Sequence, residues 1–561
     1  MKAKKIAGHL LVESLVEHGV DLCFGVPGES YLGVLDGFHE YRDRIKFVIC
    51  RQEGGAANMA EAYGKLTGRP GVCFVTRGPG ATNASIGLHT AFQDSTPMIL
   101  FVGQVESTAQ DREAFQEIDF RRMFGQMAKW VAQIDSADRI PEYVARAFQT
   151  ATSGRQGPVV LALPEDMLLR ETDATVLRPY RRNLAWPDPQ RMQEMAEEIR
   201  QAKKPLMLVG GSGWTPEACA QLQDFAAAWQ LPVACAFRFQ DVFDNHHLNY
   251  VGEVGSTLGA ALKKRFEESD LIIAVGVRLG EGTTRGYTLI KPPRPRQRLV
   301  HVHAGAEELG SVYQADVMIQ SSMPGFCAEL SKLEAPRDPV WSEWTEQAVK
   351  DYQVHVTPKP DTVHNVDMGQ VVQTVQRLAP EDTIYTSGAG NYAGWFVRFI
   401  RYHGLAKGAK TQIAPSSGAM GYGVPAAVAA KLVAPNRTVV SVAGDGCFLM
   451  NGQEIATAAQ YKAKIIFIVV NNGMYGTIRA HQEMNFPDRL SGTELLNPDF
   501  ALLAQAYGLQ GYVVNKTAEF EPAFQAALQA KGSSLIEIRL DSDVISTHTT
   551  LSALKEKARA R

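Results

Sequence analysis

Thr438-Val-Val-Ser-Val-Ala-Gly-Asp-Gly446 and, further on, Lys464-Ile-Ile-Phe-Ile-Val-Val-Asn-Asn472 are the stretches that decide how this chain is read. Each opens on a short, largely apolar run rich in β-branched residues, the pattern of a strand buried on both faces. Residues 438–443 read as such a strand ending in a Gly-rich turn, 451–461 as a helix and 464–470 as the next strand. A crossover of that length returns the chain parallel to itself, so both strand ends emerge at one sheet edge. Asp445 and the side-chain oxygen of Asn472 can then approach one small cation, and magnesium suits a site of few carboxylates plus phosphate oxygens. Two ordinary turns are the competing reading, because Gly, Asp and Asn are the commonest turn residues. The twenty-four residues separating Gly444-Asp-Gly446 from Asn471-Asn472, on two apolar strands, favour the cation site.

The same alternation of apolar runs and helical stretches extends outward from this unit. At 561 residues the chain exceeds a single core and predicts three or four domains. A first α/β block spans 1–170, with strand-like Val72-Cys-Phe-Val-Thr76 and Met98-Ile-Leu-Phe-Val102. The Pro- and Arg-rich stretch 177–189 breaks the periodicity and reads as a linker. A second block spans 190–335, and Thr357-Pro-Lys-Pro-Asp-Thr362 leads to a third over 365–545, followed by a polar, basic tail at 546–561. The expected fold class is α/β: three doubly wound, mainly parallel sheets in series.

Composition narrows the function classes. A net charge of −3 with 21% charged residues gives no electrostatic footprint for nucleic acid or an anionic membrane. No run of eighteen apolar residues exists, and Met1-Lys-Ala-Lys-Lys-Ile6 passes into an amphipathic helix without a signal-like core. The seven cysteines stand apart in apolar contexts with no CxxC pair, which fits reduced thiols and a cytoplasmic location.

The Gly-Asp-Gly…Asn-Asn spacing resembles the motif of the thiamine diphosphate-dependent superfamily of decarboxylases, carboligases and oxidases, and the resemblance covers essentially the whole chain. It implies that Asp445, Asn472 and the Met474 carbonyl ligate Mg2+, with Gly444, Gly446 and Cys447 along the cofactor. Thr386-Ser-Gly-Ala-Gly-Asn-Tyr392 resembles the diphosphate-gripping loop and offers Gly390, Asn391 and Tyr392, although acetohydroxyacid synthases usually carry Gln-His at the last two positions. Ser417-Gly-Ala-Met-Gly421 resembles the segment that bends the cofactor: Met420 would be the wedge, and the Gly418 carbonyl would accept from the amino group of the pyrimidine. Sites in this superfamily lie between two subunits, implying at least a homodimer, with a tetramer expected.

Thiamine chemistry also requires a carboxylic acid in a dry pocket, hydrogen-bonded to the aminopyrimidine ring. Glu53, in Arg51-Gln-Glu-Gly-Gly-Ala-Ala57, follows the apolar Phe47-Val-Ile-Cys50 and opens a helix, where a carboxylate could equally complement the helix dipole. The stretch resembles the superfamily segment whose Glu is that acid, with Gln52 in place of a common His. Thr76-Arg-Gly-Pro-Gly-Ala-Thr-Asn83 read alone suggests a phosphate turn; the resemblance instead puts it beside the pyrimidine and makes Asn83 a cofactor contact.

Within the superfamily the chain is most similar to acetolactate (acetohydroxyacid) synthases. Gly103-Gln-Val105, Ala114-Phe-Gln-Glu117 and Lys129 carry that similarity, implying Phe115 and Gln116 as catalytic partners of Glu53, Gln104 in the substrate pocket and Lys129 as a pocket lysine. Pyruvate decarboxylases place paired histidines after the strand at 98–102; here the sequence is Val102-Gly-Gln-Val-Glu106, which favours carbon–carbon ligation over aldehyde release. Thr477, Ile478 and His481, in a segment nearly as close to benzoylformate decarboxylase, and Glu29-Ser30, in place of Gly-Ala, are the remaining substrate-pocket candidates. FAD, held in the synthases by an acidic pair at a strand end, meets His301-Val-His-Ala-Gly305 here, so both acids are missing, while Gly210-Gly-Ser-Gly213 and Arg278 keep the question open. The expected activity is decarboxylation of a 2-oxo acid and ligation of the remainder to a second 2-oxo acid or an aldehyde. The alternatives are a 2-oxo acid decarboxylase or aldehyde lyase of the benzoylformate decarboxylase type, a flavin-dependent oxidase, and a catalytically silent scaffold.

Overall fold

The computed structural model of the protein describes residues 4–560. They build three six-stranded parallel sheets and one small antiparallel pair, β1 (Lys5–Ile6) with β8 (Glu171–Thr172). The first sheet holds β2 (Leu22–Gly25), β3 (Lys46–Ile49), β4 (Gly71–Val75), β5 (Met98–Gln104), β6 (Trp130–Gln133) and β7 (Pro158–Pro164), in the order 3-2-4-5-7-6. The central sheet holds β9 (Pro205–Val209), β10 (Val233–Ala236), β11 (Tyr250–Val254), β12 (Leu271–Val275), β13 (Arg298–His303) and β14 (Val317–Gln320), in the order 11-10-9-12-13-14. The third holds β15 (Ile384–Ser387), β16 (Gln412–Ile413), β17 (Val439–Gly444), β18 (Ile466–Asn471), β19 (Gln510–Val514) and β20 (Ser534–Arg539), in the order 16-15-17-18-20-19.

Numbered from its own first strand, the central sheet follows the dinucleotide-fold order 3-2-1-4-5-6. The first and third sheets both follow 2-1-3-4-6-5, a shared topology that no repeat in the sequence announces. The inner strands have the composition expected for burial on both faces: β4, β5, β7, β9, β12 and β17 are buried at every position. The order of each sheet reverses between two neighbouring strands, and ligands of such sheets bind at the carboxyl ends of that pair. In the third sheet the pair is β15 and β17, which end at Ser387 and Gly444.

The chain divides into two compact units. One takes residues 1–183 with 428–433, the other 184–427 with 434–561, so the central and third sheets share a unit. One expectation is revised. The helix after β17 starts at Asp445 rather than near 451, so Gly444-Asp-Gly446 forms a strand-to-helix junction and not a free turn. The tail is helical over Leu551–Arg559, packs on the helix Gly476–Asn485 and pairs Lys555 and Arg559 with Asp488.

Candidate active site

A cavity of about 240 Å³ opens at the carboxyl ends of β15, β17 and β18. Every candidate between Gly390 and Ile478 lines it: Gly390, Asn391, Tyr392, Gly418, Met420, Gly444, Asp445, Gly446, Cys447, Asn472, Met474, Thr477 and Ile478. His481 is exposed one turn further along its helix and is not among the lining residues. Leu540, Val544 and Ile545, from the stretch after β20, close part of the wall.

Asp445 is 3% exposed, and its carboxylate collects donors. Oδ1 accepts from the Gly446 N–H (2.8 Å), and Oδ2 from the Gly473 N–H (2.9 Å) and Asn497 Nδ2 (2.7 Å). Burial still lifts its carboxyl above the usual carboxylate range, against the opposing pull of these hydrogen bonds. A buried acid facing a cavity with no cationic side chain among its lining residues fits a bound cation. Asn497 also donates to Asn471 Oδ1 (2.9 Å), and its own buried Oδ1 has no partner among the described residues. Asn471 in turn donates to Glu537 (2.7 Å). Of the paired asparagines, then, the first braces the framework while the second lines the cavity. Asn497 is a site residue that the sequence reading missed, and a lone Asn before Pro498 carries no signal that would have found it.

The glycines of the motif are explained by two tyrosine rings. A methyl group on Gly444 would lie 2.8 Å from the Tyr392 ring, and one on Gly446 would lie 2.6 Å from the Tyr475 ring. Gly390 is in the left-handed region (φ 145°), where a side chain would also strike the Tyr392 ring at 2.7 Å. The Tyr392 hydroxyl accepts from the Gly388 N–H (3.1 Å) and meets Cys447 Sγ at 3.3 Å. Tyr392 therefore fills the floor between the two strand ends. Asn391 Oδ1 accepts from the Thr477 hydroxyl (2.8 Å), tying the diphosphate-loop candidate to the substrate-segment candidate. Replacing Gly444 with Ala should displace the Tyr392 ring and cost about 1–3 kcal/mol, measured as a lower denaturation midpoint at unchanged m-value.

The first sheet carries the second group of candidates. Gln52 caps the helix Glu53–Thr67, its side chain accepting from the Gly55 N–H (3.0 Å), which gives this departure from His a structural role. Glu53 occupies the first helical position, half-buried, and its Oε2 accepts from Asn83 Nδ2 (2.9 Å). The segment with Phe115 and Gln116 stands beside the turn from β4 into the helix Gly78–Asp94, since the Gln116 carbonyl accepts from the Gly78 N–H (3.0 Å). Phe115 is 71% exposed, and Asp111, Glu113 and Gln116 all have positive φ, so this loop is held in sparsely populated conformations. Glu117, quoted above only as part of a motif, staples it by accepting from the Asp111 (2.8 Å) and Ala114 (3.0 Å) N–H groups.

Three residues near this group are engaged in other ways. Gln104 is 4% exposed and spends its amide on the Ile118 carbonyl (2.9 Å) and the Val105 N–H (2.9 Å). Ser30 is fully buried against Thr76 (3.0 Å), whereas Glu29 is exposed. Lys129 donates to the Thr150 and Ser153 carbonyls (2.6 Å each), an ammonium at a helix C-terminus.

In the central sheet the crevice lies between β9 and β12. The Trp214 indole donates to the Gly210 carbonyl (2.9 Å), and a methyl group on Gly211 would lie 2.0 Å from the Gly276 oxygen. Arg278 pairs with Glu308 (3.1 Å), His301 donates to the Val277 carbonyl (2.9 Å), and Gly305 donates to His303 (3.0 Å). At the two positions where the acidic pair would stand, His303 is turned onto backbone and Gly305 has no side chain, so neither supplies the carboxylate that a flavin dinucleotide would meet there.

Comparison with known proteins identifies the domains to which these residues belong. Residues 6–123 match the thiamine pyrophosphate enzyme N-terminal TPP binding domain, 192–330 the central domain and 388–538 the C-terminal TPP binding domain. This defines the class: a thiamine diphosphate-dependent enzyme. The acetolactate synthase large subunit of Parasynechococcus marenigrum is 33% identical, over 94% of this chain and 86% of the relative. The acetolactate synthase isozyme 2 large subunit of Escherichia coli is 29% identical over 95% of both chains. The mitochondrial acetolactate synthase catalytic subunit of Saccharomyces cerevisiae is 30% identical, over 96% of this chain and 81% of the relative. The chain belongs to the acetolactate synthase family of thiamine pyrophosphate enzymes.

Proposed function

We propose that this enzyme decarboxylates a small 2-oxo acid and ligates the remaining fragment to a second 2-oxo acid or an aldehyde, with pyruvate in both roles giving 2-acetolactate. The observation that carries the reading is the single cavity gathering Asp445, Asn472 and Met474 with Thr477 and Ile478, the cation candidates beside the donor-pocket candidates. Asp445, Asn472 and the Met474 carbonyl would hold Mg2+, with Gly390, Asn391 and the Gly444–Cys447 junction against the diphosphate. When bound, thiamine diphosphate supplies the electron sink that lets carbon dioxide leave a 2-oxo acid.

The protein's own part is to orient, to exclude water and to manage one proton. Glu53, held by Asn83, would share a proton with a ring nitrogen of the pyrimidine. Met420, packed at the edge of the third core and lining the cavity wall, would press on the cofactor there. No imidazole follows β5, where Gly103-Gln-Val-Glu106 stands, so no histidine there delivers a proton to the reacting carbon; this supports ligation over aldehyde release. The half-buried Glu53 and the exposed Asn83 and Phe115 leave the first unit's site open, which supports a homodimer in which a second copy covers it. No described helix is long and apolar enough to cross a membrane, and all seven cysteines are buried free thiols, in keeping with a reducing cytoplasm.

The test is incubation of the purified protein with pyruvate, thiamine diphosphate and Mg2+, separating acetolactate from acetaldehyde. Acetolactate as the main product, from a protein without flavin absorbance bands, is the expected result. Acetaldehyde as the main product would overturn the ligase reading in favour of a simple decarboxylase.

A further inference from the structure

We infer that Arg238 is a positioning residue for the diphosphate end of this site: from the central sheet it fixes, by charge and two hydrogen bonds, the Ser387-Gly388 strand end that the diphosphate must meet. The inference rests on reading the cavity as the thiamine diphosphate site. Arg238 lies in Phe237-Arg-Phe-Gln-Asp241, just after β10, and is 6% exposed. Its Nη1 donates to Ser387 Oγ (3.0 Å) and its Nη2 to the Gly388 carbonyl (3.2 Å), while its buried Nε has no partner among the described residues. Ser387 closes β15, one strand of the pair at which the order of the third sheet reverses. Gly388 leads on to the Tyr392 hydroxyl and Cys447, both of which line the cavity.

Domain docking alone does not account for the charge. The same loop is already anchored on the third sheet by neutral or balanced contacts. Asp241, fully buried, accepts from the Thr411 and Gln412 N–H groups (2.9 Å each) and from Lys410 (3.0 Å), and the Gln240 N–H donates to Gln412 (2.8 Å). Among the described residues no carboxylate lies within ion-pairing distance of Arg238. The acid with the clearest electrostatic relation to it, Glu253, is 7% exposed and bonded to Thr257 (2.9 Å), with its second oxygen unpartnered among the described residues. Burial pushes the Glu253 carboxyl up to about 7 in spite of Thr257, Arg238 and Arg285, so it balances Arg238 incompletely at neutral pH. An arginine taken out of water without a counter-charge is costly, and an arriving dianion at the adjoining loop offsets that cost. Arg238 also holds φ 68°, a strained backbone of the kind that persists where surrounding structure imposes it.

The test uses the full chain and its variants Arg238→Met, Arg238→Lys and Ser387→Ala. Thiamine diphosphate is titrated at fixed Mg2+ and followed by quenching of tryptophan fluorescence, with Trp395 in the cavity wall as reporter. Arg238→Met should raise the dissociation constant about tenfold or more, Arg238→Lys less, and Ser387→Ala about threefold. The melting temperature of unliganded Arg238→Met should stay within a few degrees of the parent, and thiamine monophosphate affinity should fall less than that of the diphosphate. Affinity within twofold of the parent in Arg238→Met would overturn the inference, as would losses of affinity and melting temperature together that Lys does not rescue. Should Arg238→Met fail to fold, an unchanged dissociation constant in Ser387→Ala overturns it just as well. A parent chain that does not bind thiamine diphosphate would instead overturn the reading of the cavity, and this inference with it.

Discussion

Replacing Glu53 with Gln is expected to lower kcat by about 10²–10⁴-fold, the usual contribution of a positioned acid–base group. The substitution keeps the shape of the side chain and leaves an oxygen to accept from Asn83 Nδ2, so the local hydrogen bond survives. The cap of the helix is untouched, because the Gly55 N–H is held by Gln52 and not by Glu53. What disappears is the exchangeable proton. Turnover with saturating cofactor should therefore collapse while thiamine diphosphate affinity and melting temperature change little. The measurement is steady-state kinetics beside a cofactor titration; a variant with full turnover would show that another group handles the proton.

The second large effect falls on Asp445. Converting it to Asn removes the one buried carboxylate of the cavity wall and turns a donor toward N–H groups that now meet an oxygen, those of Gly446, Gly473 and Asn497. Losing one partner of a buried charged contact costs about 3–5 kcal/mol, or roughly 10²–10⁴-fold in cofactor affinity in the presence of Mg2+. Calorimetric titration of the parent and the variant reads this directly. If thiamine diphosphate with Mg2+ still raised the variant's melting temperature as it does the parent's, Asp445 would not be the cation's anchor.

The contrast between legible and hidden features follows the distance over which each is determined. Strands such as β17 and β18 could be read because full burial leaves its mark on every residue of a short run. The junction after β17 was read as a turn because Gly-Asp-Gly is locally a turn sequence. Its glycines are required instead by the rings of Tyr392 and Tyr475, and nothing near them in sequence says so. Arg238 reaches a partner 149 residues away, and Asn497 meets Asp445 across 52, so both contacts exist only once the fold has formed. Gln104 shows the opposite limit: its motif was visible, but the direction of its amide, onto Ile118 and Val105, was not. The stretch 546–561 was legible only as polar and basic; that Lys555 and Arg559 find Asp488 and that 551–559 winds into a helix depends on partners distant in sequence.

The strand order common to the first and third sheets has an evolutionary reading. Two halves with one wiring diagram are what duplication of an ancestral unit leaves behind, and duplication frees each copy to specialise. Where the reversal-point strand of one copy leads into a buried carboxylate, Asp445, the corresponding strand of the other leads into Arg77, which is paired with Glu165. A mutation that retunes one crevice need not disturb the other, because each has its own hydrophobic core. Such a chain can drift toward new substrates by editing the walls of one half at a time, as long as Glu53 in the first and Asp445 in the other are kept.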